Sequence, residues 1–369
     1  MKVLHVITGL DVGGAETQLA MLLRHTGHEC DVVTLYNPGP VAEQIRSSGT
    51  NVRDIGMRSN RDLWALPRLR SLIAAGRYDV VHAHLFRSQV YARPAARLAR
   101  TPVVVTTEHS IGETHIERRR MTARVRGLYL ASELFSDWTI AVSDVVRDRL
   151  IGWGVPARKI SVIPNGIDTT ALAFDPAARA RARAQFGIAA ETFVIGTLGR
   201  LDANKRVEMV IEAAAPLLGK RCALLIVGRG EEMDALKAVA VRAGVADRVI
   251  FAGFQADTVA MLSAFDLYVM ASAQETFGLA ALEAMASGLP VLYTTCPALD
   301  GVSTTQARPV AGTATALRAA FGAAVAAGPR PRQPDEFVFG RYGIDSTARQ
   351  VDDLYRRLRQ DRPRPHGAA

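Results

Sequence analysis

Short apolar runs recur along this chain, each followed by a turn and then by a stretch with helical spacing, and that alternation constrains the fold most. In the first half the runs are Val3–Thr8, Cys30–Leu35, Val52–Ile55, Val80–His82, Val103–Thr107 and Trp138–Val142. Helical patterns such as Leu63–Ala75 and Ser88–Leu98 lie between them. Strands separated by helices of this length imply βαβ units and a parallel sheet. The theme then starts afresh. Ile160–Ile163 ends at the turn Pro164-Asn165-Gly166, and Asp175–Phe186 reads as an Ala/Arg-rich helix. Phe193–Leu198, Ala223–Val227, Val249–Phe251, Leu267–Met270 and Val291–Tyr293 supply a second sheet. At 369 residues the chain is long for one core and suits two. The expectation is an α/β chain of two doubly wound domains, 1–168 and 169–346, facing a central cleft. A final helix, 347–360, is able to pack back on the first domain, and the Pro/Arg/Gly-rich segment 361–369 is expected to be disordered.

Composition narrows the classes. No apolar run reaches the length of a membrane span, and the N-terminal MKVLHVITGL meets Asp11 and a Gly-rich turn at once, so it reads as a buried first strand rather than a signal sequence. Cys30, Cys222 and Cys296 are widely spaced and odd in number, which gives neither a disulfide framework nor a metal cluster and points to a reducing cytoplasm. The net charge of +9 would suit nucleic acid, yet 40 of the 45 basic residues are arginines and no nucleic-acid-binding motif accompanies them, so nucleic acid is not an expected partner.

In open parallel sheets, ligands bind beyond the carboxyl ends of the strands. The richest such segment runs from Ala271 to Pro290 after the strand Leu267–Met270. Thr276 can cap the helix that follows, and Gly288 with Pro290 ends it. Phe277, Gly278 and Leu279 would offer backbone N–H groups where anions are favoured. Glu275 in the loop can bond sugar hydroxyls, and Glu283 in the helix can accept from a vicinal diol such as a ribose. Taken alone, Glu283 reads better as an exposed residue of an amphipathic helix. Gly199-Arg200-Leu201-Asp-Ala-Asn-Lys205 follows Phe193–Leu198. There Arg200 can grip diphosphate oxygens bidentately, and Lys205 adds a compact charge.

The segment Glu275-Thr-Phe-Gly-Leu-Ala-Ala-Leu-Glu283 resembles the Glu-x7-Glu signature of the family 4 retaining glycosyltransferases, which have the GT-B fold of two Rossmann-like domains. The resemblance extends over nearly the whole chain. It includes Gly13-Gly14-Ala15-Glu16, Val81-His82-Ala83-His84, Thr139–Asp144, Ile163–Asp168, Gly199–Lys205, Gly228-Arg-Gly-Glu231 and Phe251-Ala-Gly-Phe254. By resemblance, Gly13 and Gly14 lie over the donor phosphates, and Gly228 and Phe254 line the nucleoside pocket, although Gly228 and Gly230 are equally plain turn residues. Two departures stand out. The family commonly has Gly where this chain has Arg206, and the Gly-Gly-x-Pro-Glu stretch usual after the next strand is replaced by Tyr293-Thr-Thr-Cys-Pro-Ala-Leu-Asp-Gly301.

His109 follows the run Val103–Thr107 in Thr-Thr-Glu-His-Ser. In related enzymes a His at this strand end lies near the reacting sugar and helps bind donor or acceptor; a lone His is more often structural, which leaves the two readings of His109 even. His82 and His84 are taken to face opposite sides of their strand, one reaching the cleft and the other packing. A metal reading of His-x-His lacks a third ligand in the sequence. Arg118, Arg119, Arg120, Arg124 and Arg126 precede the apolar Leu128–Leu134, a stretch suited to a phosphate-bearing acceptor, an anionic membrane face or a solvated helix face.

The chemistry so implied is retaining transfer from a nucleoside-diphosphate sugar to the hydroxyl of a saccharide, lipid-linked saccharide or small metabolite. His109, Arg200, Lys205 and Glu275 are its expected catalytic group. The chain has no Asp-x-Asp motif, so neither metal nor cofactor is expected. An epimerase or phosphorylase on the same fold, and a non-catalytic partner of another transferase, are the competing classes.

Overall fold

The protein is described here from a computed structural model, which covers residues 1–59, 62, 64–117 and 119–362. It divides into an N-terminal unit, Met1–Gly166 together with the segment from Ile344, and a C-terminal unit, Ile167–Gly343.

In the N-terminal unit the strands are β1 (Lys2–Ile7), β2 (Glu29–Thr34), β3 (Asn51–Asp54), β4 (Val80–His84), β5 (Val103–Glu108), the two-residue β6 (His115–Ile116) and β7 (Arg119–Arg120), β8 (Trp138–Ala141) and β9 (Ile160–Val162). The helices between them are α1 (Gly14–His25), α2 (Gly39–Ser47), α3 (Ala65–Gly76), α4 (Phe86–Leu98), α5 (Ala123–Glu133) and α6 (Asp144–Trp153). Seven strands form one parallel sheet in the order β3-β2-β1-β4-β5-β8-β9, and β6 and β7 pair as an antiparallel hairpin. Val3, Leu4, Val6, Val80, Val81 and Val103–Val105 are fully buried, as strands covered by helices on both faces require.

The C-terminal unit holds α7 (Pro176–Gln185), β10 (Phe193–Leu198), α8 (Val207–Ala214), β11 (Cys222–Val227), α9 (Met233–Arg242), β12 (Val249–Gly253), α10 (Thr258–Ala264), β13 (Leu267–Met270), α11 (Leu279–Ala286), β14 (Val291–Tyr293), β15 (Ala307–Pro309), α12 (Ala314–Ala327) and α13 (Glu336–Tyr342). Its six parallel strands run β12-β11-β10-β13-β14-β15. Local chemistry sets the helix starts. Asp175 accepts from the N–H groups of Ala177 and Ala178 ahead of Pro176, and Asp257 and Thr313 cap α10 and α12 in the same way.

The last helix, α14 (Ile344–Gln360), belongs to the N-terminal unit. Its Ala348, Val351, Leu354, Tyr355 and Leu358 join Val3, Leu22, Val80 and Val103 in one core. Asp352 accepts from the Thr26 hydroxyl at 2.7 Å and the Gly27 N–H at 3.0 Å, and Arg362 pairs with Asp137 at 2.6 Å. The segment expected to be disordered therefore begins with docked residues, and 363–369 lie outside the described residues.

Both sheets reverse their strand order once, between β1 and β4 and between β10 and β13. At such a switch point the two neighbouring crossovers leave on opposite faces and open a crevice beyond the strand ends. Every candidate site residue except Arg118, which lies outside the described residues, can be placed relative to one of these two points.

Candidate active site

At the switch point of the C-terminal unit the loops leaving β10 and β13 are stitched together. Asn204 donates its side-chain amide to the Gln274 carbonyl at 2.9 Å and accepts from the Gln274 N–H at 3.2 Å. Its own carbonyl accepts from Ala273 N–H at 2.8 Å. Lys205 Nζ then lies 2.6 Å from Glu275 Oε1. Two residues 70 positions apart in sequence thus form one charged pair at the strand ends. Asn204 is a positioning residue that sequence reasoning missed; its only signal is an amide in the turn directly before the lysine.

Glu275 is held in a tight turn. Gly278 has φ 98, and a Cβ there would meet Cys296 Sγ at 2.4 Å, so only glycine fits. Gly278 is also the N-cap of α11, which corrects the expectation that Thr276 caps this helix. A left-handed residue immediately before Leu279 turns the chain into the helix without a side-chain acceptor. In the first turn of α11 the Ala281 N–H donates to the Gly278 carbonyl at 3.0 Å, and helix geometry gives the N–H groups of Leu279 and Ala280 no acceptor four residues back. Phe277 is 3% exposed and packs edge-on against Tyr342 at 5.6 Å, so its ring anchors the turn from inside.

Glu283, one turn into α11, sits where burial pushes its carboxyl up to about 7. Because the folded value lies above the ordinary value of 4.5, this group's contribution to stability is complete below pH 4.5 and is lost as pH rises through about 7. Glu283→Gln is therefore expected to melt higher than the parent at pH 8 and to lose that advantage at pH 4.5. An equal difference at both pH values would mean that Glu283 is not buried as described.

Arg206, the departure from the family's glycine, takes the left-handed conformation at φ 48, ψ 40. In a residue with a Cβ that conformation carries backbone strain, and the guanidinium is directed toward Gly312. The altered segment after β14 packs against the signature turn. Thr294 Oγ1 donates to the Ser272 carbonyl at 2.6 Å, Ala298 N–H donates to the Phe277 carbonyl at 2.9 Å, and Cys296 is buried, its thiol pushed up to about 12. Beyond it opens a groove of about 640 Å³ lined by Thr294, Thr295, Asp300, Ser303, Thr304 and Arg308.

The loops after β10, β11 and β12 cross at close quarters. Gly199 N–H donates to the Val227 carbonyl at 3.0 Å, Leu201 N–H to the Arg229 carbonyl at 3.1 Å, and Gly228 N–H to the Gly253 carbonyl at 2.8 Å. A Cβ on Gly228 would fall 1.8 Å from the Gly199 carbonyl oxygen, and one on Gly230 2.0 Å from that of Leu201. Both glycines are required by backbone contact, which settles the choice between a turn habit and a close approach. Arg200 extends exposed from this crossing. The Arg229 guanidinium lies 5.0 Å above the ring of Phe254, which is 42% exposed.

In the N-terminal unit, Gly13 is the N-cap of α1 with φ −168, an extended conformation open to any residue. What a side chain there would meet is the Glu16 carboxylate, 2.4 Å from a built Cβ. Gly14 opens the helix. His82 and His84 share one face of β4, because residues two apart on a strand point the same way; the expectation that they face opposite sides was wrong. Their rings lie 4.1 Å apart, and His5, paired with His82 across β1 and β4, stands beside them. His82 Nδ1 meets the Tyr355 hydroxyl at 2.5 Å and its Nε2 meets Thr107 Oγ1 at 2.7 Å. Both nitrogens of His82 are thus engaged within the fold, tying β4 and β5 to α14. His109 follows β5, half-buried, with Nε2 3.3 Å from His84 Nδ1. His84 and His109 border a small cavity that Gln18, Thr107 and Thr347 also line. Arg119 lies on the β6–β7 hairpin with its guanidinium 5.8 Å from the Phe86 ring, and Glu117 in the same hairpin accepts from Phe86 N–H at the start of α4.

Residues 12–171 match the family model Glycosyltransferase Family 4, and residues 192–325 match Glycosyl transferases group 1. The D-inositol 3-phosphate glycosyltransferase of Acidothermus cellulolyticus is 30% identical over 323 residues, covering 76% of this chain and 70% of its own. The chain belongs to the family 4 glycosyltransferases. The UDP-Gal:alpha-D-GlcNAc-diphosphoundecaprenol alpha-1,3-galactosyltransferase of Escherichia coli is a further relative, 30% identical over 240 residues, 63% of this chain and 62% of its own. Among solved structures, Anabaena HepE in complex with UDP-glucose superimposes with a TM-score of 0.82 at 23% identity, over 97% of this chain and 100% of that one. That likeness shows the GT-B fold. Among the described residues of this glycosyltransferase, no helix is long and apolar enough to cross a membrane.

Proposed function

We propose that this glycosyltransferase moves a sugar from a UDP-sugar to an acceptor hydroxyl with retention at the anomeric carbon and without a metal ion. The observation that carries the reading is the Lys205–Glu275 pair at the C-terminal switch point, on the two loops that carry the exposed Arg200 and lead into α11. Arg200, Lys205 and the α11 amides together suit a diphosphate whose charge grows as it departs, the electrostatic task that a metal performs elsewhere. Glu275 suits hydroxyls of the donor sugar, Glu283 the ribose diol, and Phe254 with Gly228 the base. The bond from the anomeric carbon to the diphosphate oxygen breaks while the acceptor oxygen bonds on the same face, and its proton passes to the departing diphosphate. HepE is described in complex with UDP-glucose, which supports the donor class.

We assign the acceptor to the N-terminal unit, where His109 and His84 border a cavity and Arg119 supplies charge. The E. coli relative is named for a diphosphoundecaprenol-linked acceptor and the Acidothermus relative for an inositol phosphate, so a phosphate-bearing acceptor is the favoured class. A cytoplasmic protein that touches the anionic inner membrane face fits the reduced thiols and the exposed Leu128 and Leu134 on and beside the Arg-bearing α5. Sedimentation with vesicles of phosphatidylglycerol should show salt-sensitive binding; none at low salt would end the membrane assignment.

Thermal shift against a panel of nucleoside diphosphates tests the donor site. UDP should raise the melting temperature more than ADP or GDP, and Arg200→Ala with Lys205→Ala should remove the shift. A panel without effect on the parent would overturn the transferase reading. Interconversion of a UDP-sugar without any acceptor would favour an epimerase instead.

A further inference from the structure

Behind His109 stands a series of imidazoles whose bonds to one another the transfer reading does not use. His84 Nδ1 is 3.3 Å from His109 Nε2, and His84 Nε2 is 3.0 Å from His5 Nδ1. His5 and His84 are 1% and 3% exposed. Burial lowers His5 to about 3, His84 well below its ordinary value and His109 to about 4, so all three are neutral around pH 7. A neutral imidazole carries one N–H and one bare nitrogen.

Bonds in series between such rings have a direction. If His84 Nδ1–H donates to His109, then His84 Nε2 is bare and accepts from His5 Nδ1–H, and His109 keeps its proton on Nδ1. In the opposite sense, His109 Nε2–H donates to His84, His84 Nε2–H donates to His5, and His109 Nδ1 is bare. Any mixture sets N–H against N–H, or lone pair against lone pair, in a dry core where an unmade hydrogen bond is costly.

We propose that His84, backed by His5, is a positioning residue that locks His109 in one tautomer, so that the ring bordering the cavity keeps one fixed placement of its proton. This rests on the transfer reading only for its kinetic consequence. The same cluster suggests a metal site, since His5, His82 and His84 bring one nitrogen each within 4.8 Å of one another. His82 has no spare nitrogen for it, because Tyr355 and Thr107 engage both. His5 and His84 are bonded to each other, and the partners that hold these rings, Tyr355, Thr107 and neighbouring imidazoles, bring no carboxylate to offset a buried dication.

The test is long-range proton–nitrogen NMR on the full chain with nitrogen-15-labelled histidine, which reads the tautomer of each ring and needs no turnover. His109 should show one tautomer in the parent. His5→Phe, two bonds removed from His109, and His84→Phe should each bring the two His109 nitrogens toward averaged shifts. His84→Asn, whose amide keeps a hydrogen-bonding group beside His109, should restore a single form. A folded His5→Phe and a folded His84→Phe that leave the His109 shifts unmoved would overturn the lock. So would a perturbed d–d spectrum with these rings shifted on adding cobalt(II), since they would then be metal ligands. With sugar transfer as a second readout, His84→Phe should lower kcat about tenfold with little change in KM for the donor. If the parent transfers no sugar, the transfer reading fails while the NMR result still decides the lock.

Discussion

Lys205→Ala is expected to lower kcat/KM for sugar transfer about 100- to 1,000-fold, the range typical of losing one preorganised group that faces transition-state charge. Two effects combine. The substitution removes a cation from the departing diphosphate, and it strips the counter-ion from Glu275, whose side chain is only 14% exposed against 30% for Lys205. The fold itself should lose little, because a part-buried pair between two loops contributes about 1 kcal/mol. Glu275→Gln should cost a similar factor, through lost hydroxyl binding and a released lysine. Since each single change already breaks the 2.6 Å contact, the double variant should lose clearly less than the product of the two factors. The check is initial rates of UDP release with acceptor present, alongside melting curves. A Lys205→Ala enzyme within about threefold of the parent would remove the pair from the mechanism.

That pair was legible in the sequence only as two separate loops. Arg200, Lys205, Glu275 and Glu283 could be named because each follows an apolar run at a fixed spacing, and apolar runs are what the sequence displays best. Nothing in the residue pattern says that β13 lies beside β10, across the switch in strand order, so the 70-residue contact was out of reach. The histidines failed for the converse reason. His82 and His84 interrupt an apolar run and so shortened the expected strand to Val80–His82, although they are buried continuations of it to His84. Their burial is made tolerable by partners on β1, β5 and α14, which are distant in sequence. Strand β15 was missed because only Ala307 of its three residues is buried, and the β6–β7 hairpin because two-residue strands carry no period. Glycines mislead in both directions: Gly13 sits in ordinary extended backbone, whereas Gly228, which reads as a plain turn residue, is sterically required.

Gly228→Ala should therefore be among the most damaging single-methyl changes in the C-terminal unit. The new Cβ would sit 1.8 Å from the Gly199 carbonyl oxygen, and the backbone at φ 140 already lies where side chains are rarely tolerated. No flexible side chain can yield, because the obstacle is main chain. Strain and overpacking together are expected to cost about 3 kcal/mol, which corresponds to a fall of about 6–12 °C in melting temperature for a unit of this size. Gly219→Ala is the matched control, since nothing lies within 4 Å of its Cβ and its backbone is unstrained. There the shorter list of unfolded conformations should leave stability unchanged or slightly raised. If both variants melt alike, the β10 and β11 loops do not cross as closely as described. The larger consequence is for binding. Gly199 carries Arg200 as its next residue, so any shift that relieves the clash displaces the guanidinium from the diphosphate position proposed above. The UDP-induced melting shift should then vanish in Gly228→Ala even at temperatures where the protein is still folded. On the donor assignment proposed above, stability and UDP binding would then depend on the same few ångströms of backbone at this crossing.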